Sequence, residues 1–239
     1  MERIENMMGQ LRLGGMSQNW RLLMETRRVH ELSLVDGLEL LLQSEKQERE
    51  NRKFNRLHKK AQFRYRTLPQ EINHDAARGL DKSQLTSLLK GDYIANGESV
   101  LITGSTGCGK SFLASALGHQ ACSQGYTVAY YSVQKLLSRL KVAKLDGTIS
   151  KAIDKIAKIN LLILDDFGLS KLDKQQQLDF MEIFEDRHMK NATIMVSQLP
   201  VSAWYEIIGE ETIADAILDR LVHTSHRIEL KGDSLRKKR

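Results

Sequence analysis

Ser99-Val100-Leu101-Ile102-Thr103 runs straight into Gly104-Ser105-Thr106-Gly107-Cys108-Gly109-Lys110-Ser111, and that into Phe112-Leu113-Ala114-Ser115-Ala116-Leu117. The apolar opening reads as a strand and the close as a helix. The middle fits G-x-x-x-x-G-K-[ST], the phosphate-binding P-loop. Its strand–loop–helix setting separates it from a glycine turn that merely caps a helix. Gly104, Gly107 and Gly109 let the backbone turn its N–H groups inward on phosphates, and the following helix points its positive dipole end at the same anion. Lys110 is predicted to reach the β- and γ-phosphates and Ser111 to place its hydroxyl on Mg²⁺. Ser105, Thr106 and Cys108 complete the loop, Cys108 as a small side chain rather than a redox group. The stretch predicts a nucleoside triphosphate site.

Outward from the loop, strand and helix character alternate. Strands are expected at 99–103, 127–131, 161–165, 193–197 and 226–230. Helices are expected at 110–124, 134–145, 148–159, 175–190, 202–208 and 212–223. That alternation predicts an α/β fold, a five-stranded parallel sheet flanked by helices. Residues 3–66 hold no proline and read as helices. Leu11, Leu13, Met16, Trp20, Leu23 and Met24 recur at helical spacing, as do Leu34, Leu38, Leu41 and Leu42. Gly14-Gly15 reads as punctuation and Ser33 as a helix cap. Thr67-Leu68-Pro69 breaks the pattern. The expected organisation is a helical domain at 1–66, a linker at 67–80 and a nucleotide-binding core at 81–239.

Leu161-Leu162-Ile163-Leu164-Asp165-Asp166 is an apolar strand ending in two acids, about fifty residues after the P-loop. Such a strand places its carboxylates at the carboxyl edge of the sheet, where ligands bind in open α/β folds. Asp165 is expected to hold Mg²⁺ and Asp166 to orient or deprotonate the attacking water; a strand stopping at a solvated turn is the plainer alternative. Ser197-Gln198 ends the next strand. Gln198, or failing it Ser197, is expected to position water or sense the γ-phosphate, against a simple polar exit before Pro200. Arg220, in Asp219-Arg220-Leu221, reads from periodicity as half of a local ion pair with Asp219 or Asp215. It could also reach a neighbouring subunit's nucleotide.

The net charge of +6 is uneven. Residues 1–66 carry 14 Lys/Arg against 9 Asp/Glu and residues 231–239 carry 5 against 1, whereas 67–230 carry 17 against 20. Positive charge thus lies outside the nucleotide-binding core, where it suits a second polyanion. From Arg49 to Arg66 eight bases face one acid. Arg49, Arg52, Lys53, Arg56, Lys59 and Lys60 fall at helical spacings, forming a stripe suited to a phosphate backbone. Nothing in it resembles a base-reading motif, so sequence-independent binding is expected; a solvated helix face is the alternative. The tail Arg236-Lys237-Lys238-Arg239 adds to the same charge. Two cysteines, one inside the P-loop, exclude a disulfide framework and fit a reducing interior. No stretch approaches eighteen apolar residues and the first residues lack an apolar signal region, so a cytoplasmic protein without a membrane span is expected.

No Asn-Lys-x-Asp string argues for a GTPase and no Leu-Ser-Gly-Gly-Gln string for a transport ATPase. Taken together the motifs resemble the IstB family, AAA+ helper ATPases of bacterial insertion sequences related to DnaC-type helicase loaders and DnaA initiators. The resemblance runs through Leu11-Arg12-Leu13-Gly14-Gly15-Met16, Glu45…Glu48-Arg49, the P-loop, Leu164-Asp165-Asp166-Phe167-Gly168, Ser197-Gln198, Ile217-Leu218-Asp219-Arg220-Leu221 and Leu230-Lys231-Gly232-Asp233-Ser234-Leu235-Arg236. It implies an AAA+ core with little or no lid, ATP with Mg²⁺ as cofactors, and a homo-oligomer with nucleotide sites shared between subunits. It further implies assembly on double-stranded DNA and a partner transposase that stimulates hydrolysis; a DnaC-like loader of a replicative helicase is the alternative. Arg220 matches the family's arginine finger. Arg236 matches a basic position whose role stays open. Asp166 stands where glutamate is usual in AAA+ proteins, one methylene shorter, which implies slow hydrolysis without a partner.

Overall fold

The computed structural model describes residues 2–72 and 78–235, so the basic tail from Arg236 and the middle of the expected linker lie outside the described residues. The chain divides into two compact units, Met1–Arg56 and Leu57–Arg239. This division falls ten residues before the boundary read from the sequence.

The first unit is helical, with α1 (Glu2–Gln10), α2 (Gly14–Glu25) and most of α3 (Leu34–Ala61). Its core is Met8, Met16, Leu23 and Leu41. Of the apolar residues at helical spacing, Leu11, Leu34, Leu38 and Leu42 remain exposed. Ser33 caps α3, its hydroxyl accepting from the Asp36 N–H at 3.1 Å. The glycine pair does something other than punctuate. The chain breaks at Arg12, which is left-handed (φ 57°), and Gly14 opens α2. A Cβ on Gly15 would meet the Ser44 carbonyl oxygen at 2.4 Å and the Glu45 Cα at 2.8 Å, so Gly15 lets the start of α2 lie directly against α3. Glu45, 5% exposed, accepts there from the N–H groups of Gly15 (2.8 Å) and Met16 (3.3 Å). It caps another helix's amino end as an N-cap side chain would.

Burial alone would raise the Glu45 pKa; the bonds from Arg49, Met16 and Gly15 outweigh it and hold the carboxyl below its ordinary value. A folded-state pKa that is depressed contributes stability above the unfolded value, lost as pH falls through the folded one. The first unit should therefore weaken as pH drops below about 4.3. Glu45→Ala should cost it about 2 kcal/mol at neutral pH and flatten that dependence. Urea unfolding followed by Trp20 fluorescence, with buried Trp204 reporting the second unit, measures both; an unchanged midpoint would leave Glu45 no capping role.

In the second unit the strands are β1 (Ser99–Gly104), β2 (Val128–Ser132), β3 (Leu161–Phe167), β4 (Ala192–Ser197) and β5 (Ser225–Leu230). They form one parallel sheet in the order β2-β3-β4-β1-β5. Each strand lies within one or two residues of its expected place. Before β1 come α4 (Lys82–Lys90) and the single turn α5 (Asp92–Ala95). α6 (Lys110–Ser123) follows β1, and α7 (Val133–Leu145) and α8 (Ile149–Ala157) follow β2. α9 (Lys174–Arg187) follows β3; α10 (Trp204–Ile208) and α11 (Glu211–Val222) follow β4. β3 is buried almost throughout, as expected where helices cover both faces. Leu101, Leu162, Leu164 and Met195 pack with side chains of α7 to α11, and α6 covers the opposite face, where Ile163 closes on Gly118.

At the amino edge of the sheet Arg187 is 1% exposed and, among the described residues, forms no ion pair. Its guanidinium instead donates to the carbonyls of Ile156 and Ile159, both at 2.7 Å, to the Ala192 carbonyl, and to the Thr193 hydroxyl at 3.2 Å. Burial pulls its pKa down to about 9, and these bonds tie the starts of β3 and β4 to the end of α8. Among the described residues no helix is long and apolar enough to cross a membrane.

Candidate functional site

β1 delivers its last residue, Gly104, to the P-loop at the carboxyl edge, between β4 and β5. Gly104, Gly107 and Gly109 have φ of 143°, 85° and 102°, a region that side chains with a Cβ avoid. A Cβ on Gly104 would strike the Leu230 carbonyl oxygen at 2.2 Å, and one on Gly107 the Ser234 hydroxyl at the same distance. The loop is thus a backbone cradle that only glycine closes. Gly109 sits immediately before α6, so the free N–H groups of that helix face into it. Lys110, 7% exposed, bends back and donates through Nζ to the carbonyls of Gly104 (2.7 Å) and Ser105 (2.8 Å). Cys108 is a free, buried thiol beneath the loop.

Asp165 and Asp166 lie near the end of β3, just before its last residue, Phe167. The β3–β4 register slips between Leu164 and Phe167, and Asp166 adopts a left-handed φ of 62°. A bulge of this kind re-aims side chains at a sheet edge. Asp165, 1% exposed, accepts from the Tyr130 hydroxyl, which also hydrogen-bonds the Ser111 side chain. Ser111 and Asp165 therefore converge on one point. Burial pushes the Tyr130 pKa up, and the Asp165 charge adds to it. Arg64 Nη1 lies 3.2 Å from Asp165 Oδ2 and 3.0 Å from Asp166 Oδ2.

Ser197 pairs with Thr103 of β1 and with Phe167 of β3, so the end of β4 lies between the P-loop and the acids. The Ser197 hydroxyl donates to the Phe167 carbonyl at 2.8 Å and accepts from the Leu199 N–H at 3.0 Å. It holds strand ends together. Gln198 faces the loop instead, its Oε1 accepting from the Thr106 hydroxyl at 2.8 Å.

Arg220 lies elsewhere. It borders a small cleft with Gly97, Ser99 and Thr193, at the amino ends of β1 and β4. The six residues of β1 put roughly 17 Å between that edge and the P-loop. Its guanidinium pairs with Glu185 of α9 and donates to the Ala216 carbonyl at 2.8 Å, while its Nε is buried without a partner. The ion pair expected with Asp219 or Asp215 is replaced by this one, because Glu185 stands on the helix packed against α11. On α3, Arg49 pairs with Glu45 (2.7 Å) and Arg52 with Glu48 (2.9 Å). Among the described residues, Lys53, Arg56, Lys59 and Lys60 make no ion pair and remain exposed.

The arrangement thus sets a glycine cradle, a lysine and two oxygen donors at the carboxyl edge, with a glutamine between them. The family profile described as IstB-like ATP binding protein matches residues 6–239. The chain belongs to the IstB-like ATP-binding family. Among relatives, the insertion sequence ATP-binding protein y4pL of Sinorhizobium fredii is 43% identical over 225 residues, covering 94% of this chain and 92% of that one. The crystal structure of DnaI superposes with a TM-score of 0.59 at 20% identity, over 70% of this chain and 92% of that one. The DnaC helicase loader gives 0.53 at 21%, over 68% and 98%. These likenesses show the AAA+ fold of the IstB-like core.

The residues fit the cofactors such a family implies. The cradle that a Cβ would fill suits phosphates. The hydroxyl and carboxylates of Ser111, Asp165 and Asp166 are hard oxygen donors suited to Mg²⁺, and the two carboxylates already hold a cation, the Arg64 guanidinium. Three residues at the IstB-like site escaped the sequence reading. In the sequence Arg64 stands only among the eight bases from Arg49 to Arg66, outside the stripe. Tyr130 gave a weak signal, a phenol within an apolar strand. Arg78, whose Nη2 donates to the Cys108 carbonyl at 2.9 Å, gave none.

Proposed function

We propose that this chain is an ATPase that assists transposition. It binds ATP with Mg²⁺, assembles on double-stranded DNA with nucleotide sites shared between copies, and delivers or activates a partner transposase there. The observation that carries this reading is the meeting of the P-loop, Asp165, Asp166 and Gln198 at one sheet edge while Arg220 lies at the other. The names of its relatives supply the insertion-sequence setting.

The backbone N–H groups from Gly107 to Ser111 hold the phosphates, and Lys110 leaves its own loop carbonyls to meet them. Ser111 and Asp165 hold the magnesium, which when bound offsets phosphate charge. Gln198 orients the attacking water. Asp166 takes its proton as the new bond to the γ-phosphorus forms and the bond to the ADP oxygen breaks. Arg220 is too far along the sheet to serve its own site, so it serves a neighbour's.

DNA lies along α3. Arg49 and Arg52 are already paired with acids, so Lys53, Arg56, Lys59 and Lys60 carry the phosphate contacts. Changing those four to alanine should weaken duplex binding and flatten its log–log salt dependence by roughly 3.6 units, with ATP affinity unchanged. Fluorescence anisotropy of labelled duplexes over a salt series, with ATP present, measures both. If affinity and slope both held, the stripe would be a solvated face and the DNA part of this reading would fall. Capture of a replicative helicase in place of a transposase would move the reading to a loader.

A further inference from the structure

We propose that Arg64 is an internal counter-ion of the ATP site, holding the Asp165–Asp166 pair closed until magnesium nucleotide displaces it. The proposal rests on the reading of those acids as the magnesium and water-activating groups. Arg64 Nη1 touches one oxygen of each carboxylate, at 3.2 and 3.0 Å. These are the acids that a hydrated cation and an attacking water need. An arginine and a magnesium ion would compete for one face of the pair.

The placement is built into the fold. Phe63, the preceding residue, sits in a notch over α6: a Cβ on Gly118 would meet its Cε1 at 2.4 Å and the Ile163 Cδ1 at 2.8 Å. The Phe63 ring stands edge-on to Tyr130 at 6.4 Å, the residue whose hydroxyl donates to Asp165. On the other side Tyr65 lies 6.4 Å from Phe112 of α6. Anchored on both sides, the backbone at 64 has little choice of direction, and the side chain spans to the acids. The Arg64 side chain is nonetheless 41% exposed and Asp166 28%, so it can leave into solvent without opening the core. Burial disfavours the charged guanidinium, but Asp166 and Asp165 outweigh that and push its pKa up.

The device has a use. Without nucleotide, Asp165 would be a carboxylate buried beside a second one, a costly arrangement when no cation is near. Arg64 supplies that cation and blocks the water-activating face together. It also joins the end of α3 to the ATP site, four residues after Lys60.

The test uses the full chain, the variants Arg64→Gln and Arg64→Lys, and a fluorescent ATP analogue titrated with Mg²⁺. Arg64→Gln should need roughly fivefold less Mg²⁺ for half-saturation than wild type, with Arg64→Lys between them. Without nucleotide or Mg²⁺, Arg64→Gln should melt lower than wild type, and adding Asp166→Asn should restore the midpoint. If wild type binds the analogue in a Mg²⁺-dependent way and Arg64→Gln matches it in both measurements, Arg64 is an ordinary surface arginine. A rise in the Mg²⁺ requirement would make it a nucleotide ligand, which also overturns the proposal. If wild-type binding ignored Mg²⁺, the reading of the acids would fail first and this inference with it.

Discussion

Asp166→Asn should leave ATP and DNA binding near wild type and cut turnover by about 100-fold or more, the usual share of a general base. Asparagine keeps the shape and the hydrogen-bonding reach of the side chain but does not accept the proton of the attacking water. The backbone favours this substitution over others. Asp166 sits at a φ of 62°, and after glycine, asparagine and aspartate tolerate that region best. Asp166→Ala would mix lost chemistry with backbone strain; Asp166→Asn separates them. Phosphate release under single-turnover conditions, with binding measured on the same samples, gives the result. Turnover within twofold of wild type would return Asp166 to a structural role.

The same conformation bears on why aspartate stands here at all. Sequence comparison implies a shortened acid and hence slow chemistry. The structure adds a local reason: β3 ends in a bulge that drives this position left-handed, where a short polar side chain is favoured. That reason was invisible in the sequence, because the bulge is a property of the β3–β4 register and not of residues 161–167 alone. Elsewhere the chain was legible wherever the signal is local. β1, the P-loop and α6 follow from nineteen consecutive residues, Ser99 to Leu117, and the apolar run before Asp165 marks a strand buried on both faces. The placing of Gln198 was legible too, because a parallel sheet with β4 between β1 and β3 leaves it one position. What failed to show were contacts closed by tertiary approach. Arg64 meets acids 101 and 102 residues away and has the same spacing as the basic residues of α3. Gly15 looked like a helix breaker, yet its missing Cβ admits a neighbouring helix. Arg220 paired with Glu185 rather than with an acid on its own helix, since α9 and α11 pack side by side.

Arg220→Ala should bind ATP as wild type does and hydrolyse it about 1,000-fold more slowly, the scale of a lost arginine finger. Its distance from its own P-loop makes a sharper prediction possible. In a one-to-one mixture of Arg220→Ala and Asp166→Asn chains, neither active alone, some interfaces join an intact Asp166 to an intact Arg220. In a head-to-tail assembly mixed at random that is about a quarter of them, so turnover should recover to about a quarter of the wild-type rate. An arginine acting on its own nucleotide gives no recovery, because each chain then lacks one group of its own site. Recovery should also depend on total protein concentration and on duplex DNA, since on the proposed reading both would favour assembly. Glu185 offers a further check: its carboxylate holds Arg220 within the chain, so an Arg220 that serves a neighbour's nucleotide would have to exchange that partner for phosphate. Glu185→Gln should therefore lower the concentration at which the wild-type rate is reached and leave the rate at saturation unchanged. A mixture that stayed inactive at saturating DNA would place Arg220 outside the reaction, as a residue that only ties α11 to α9.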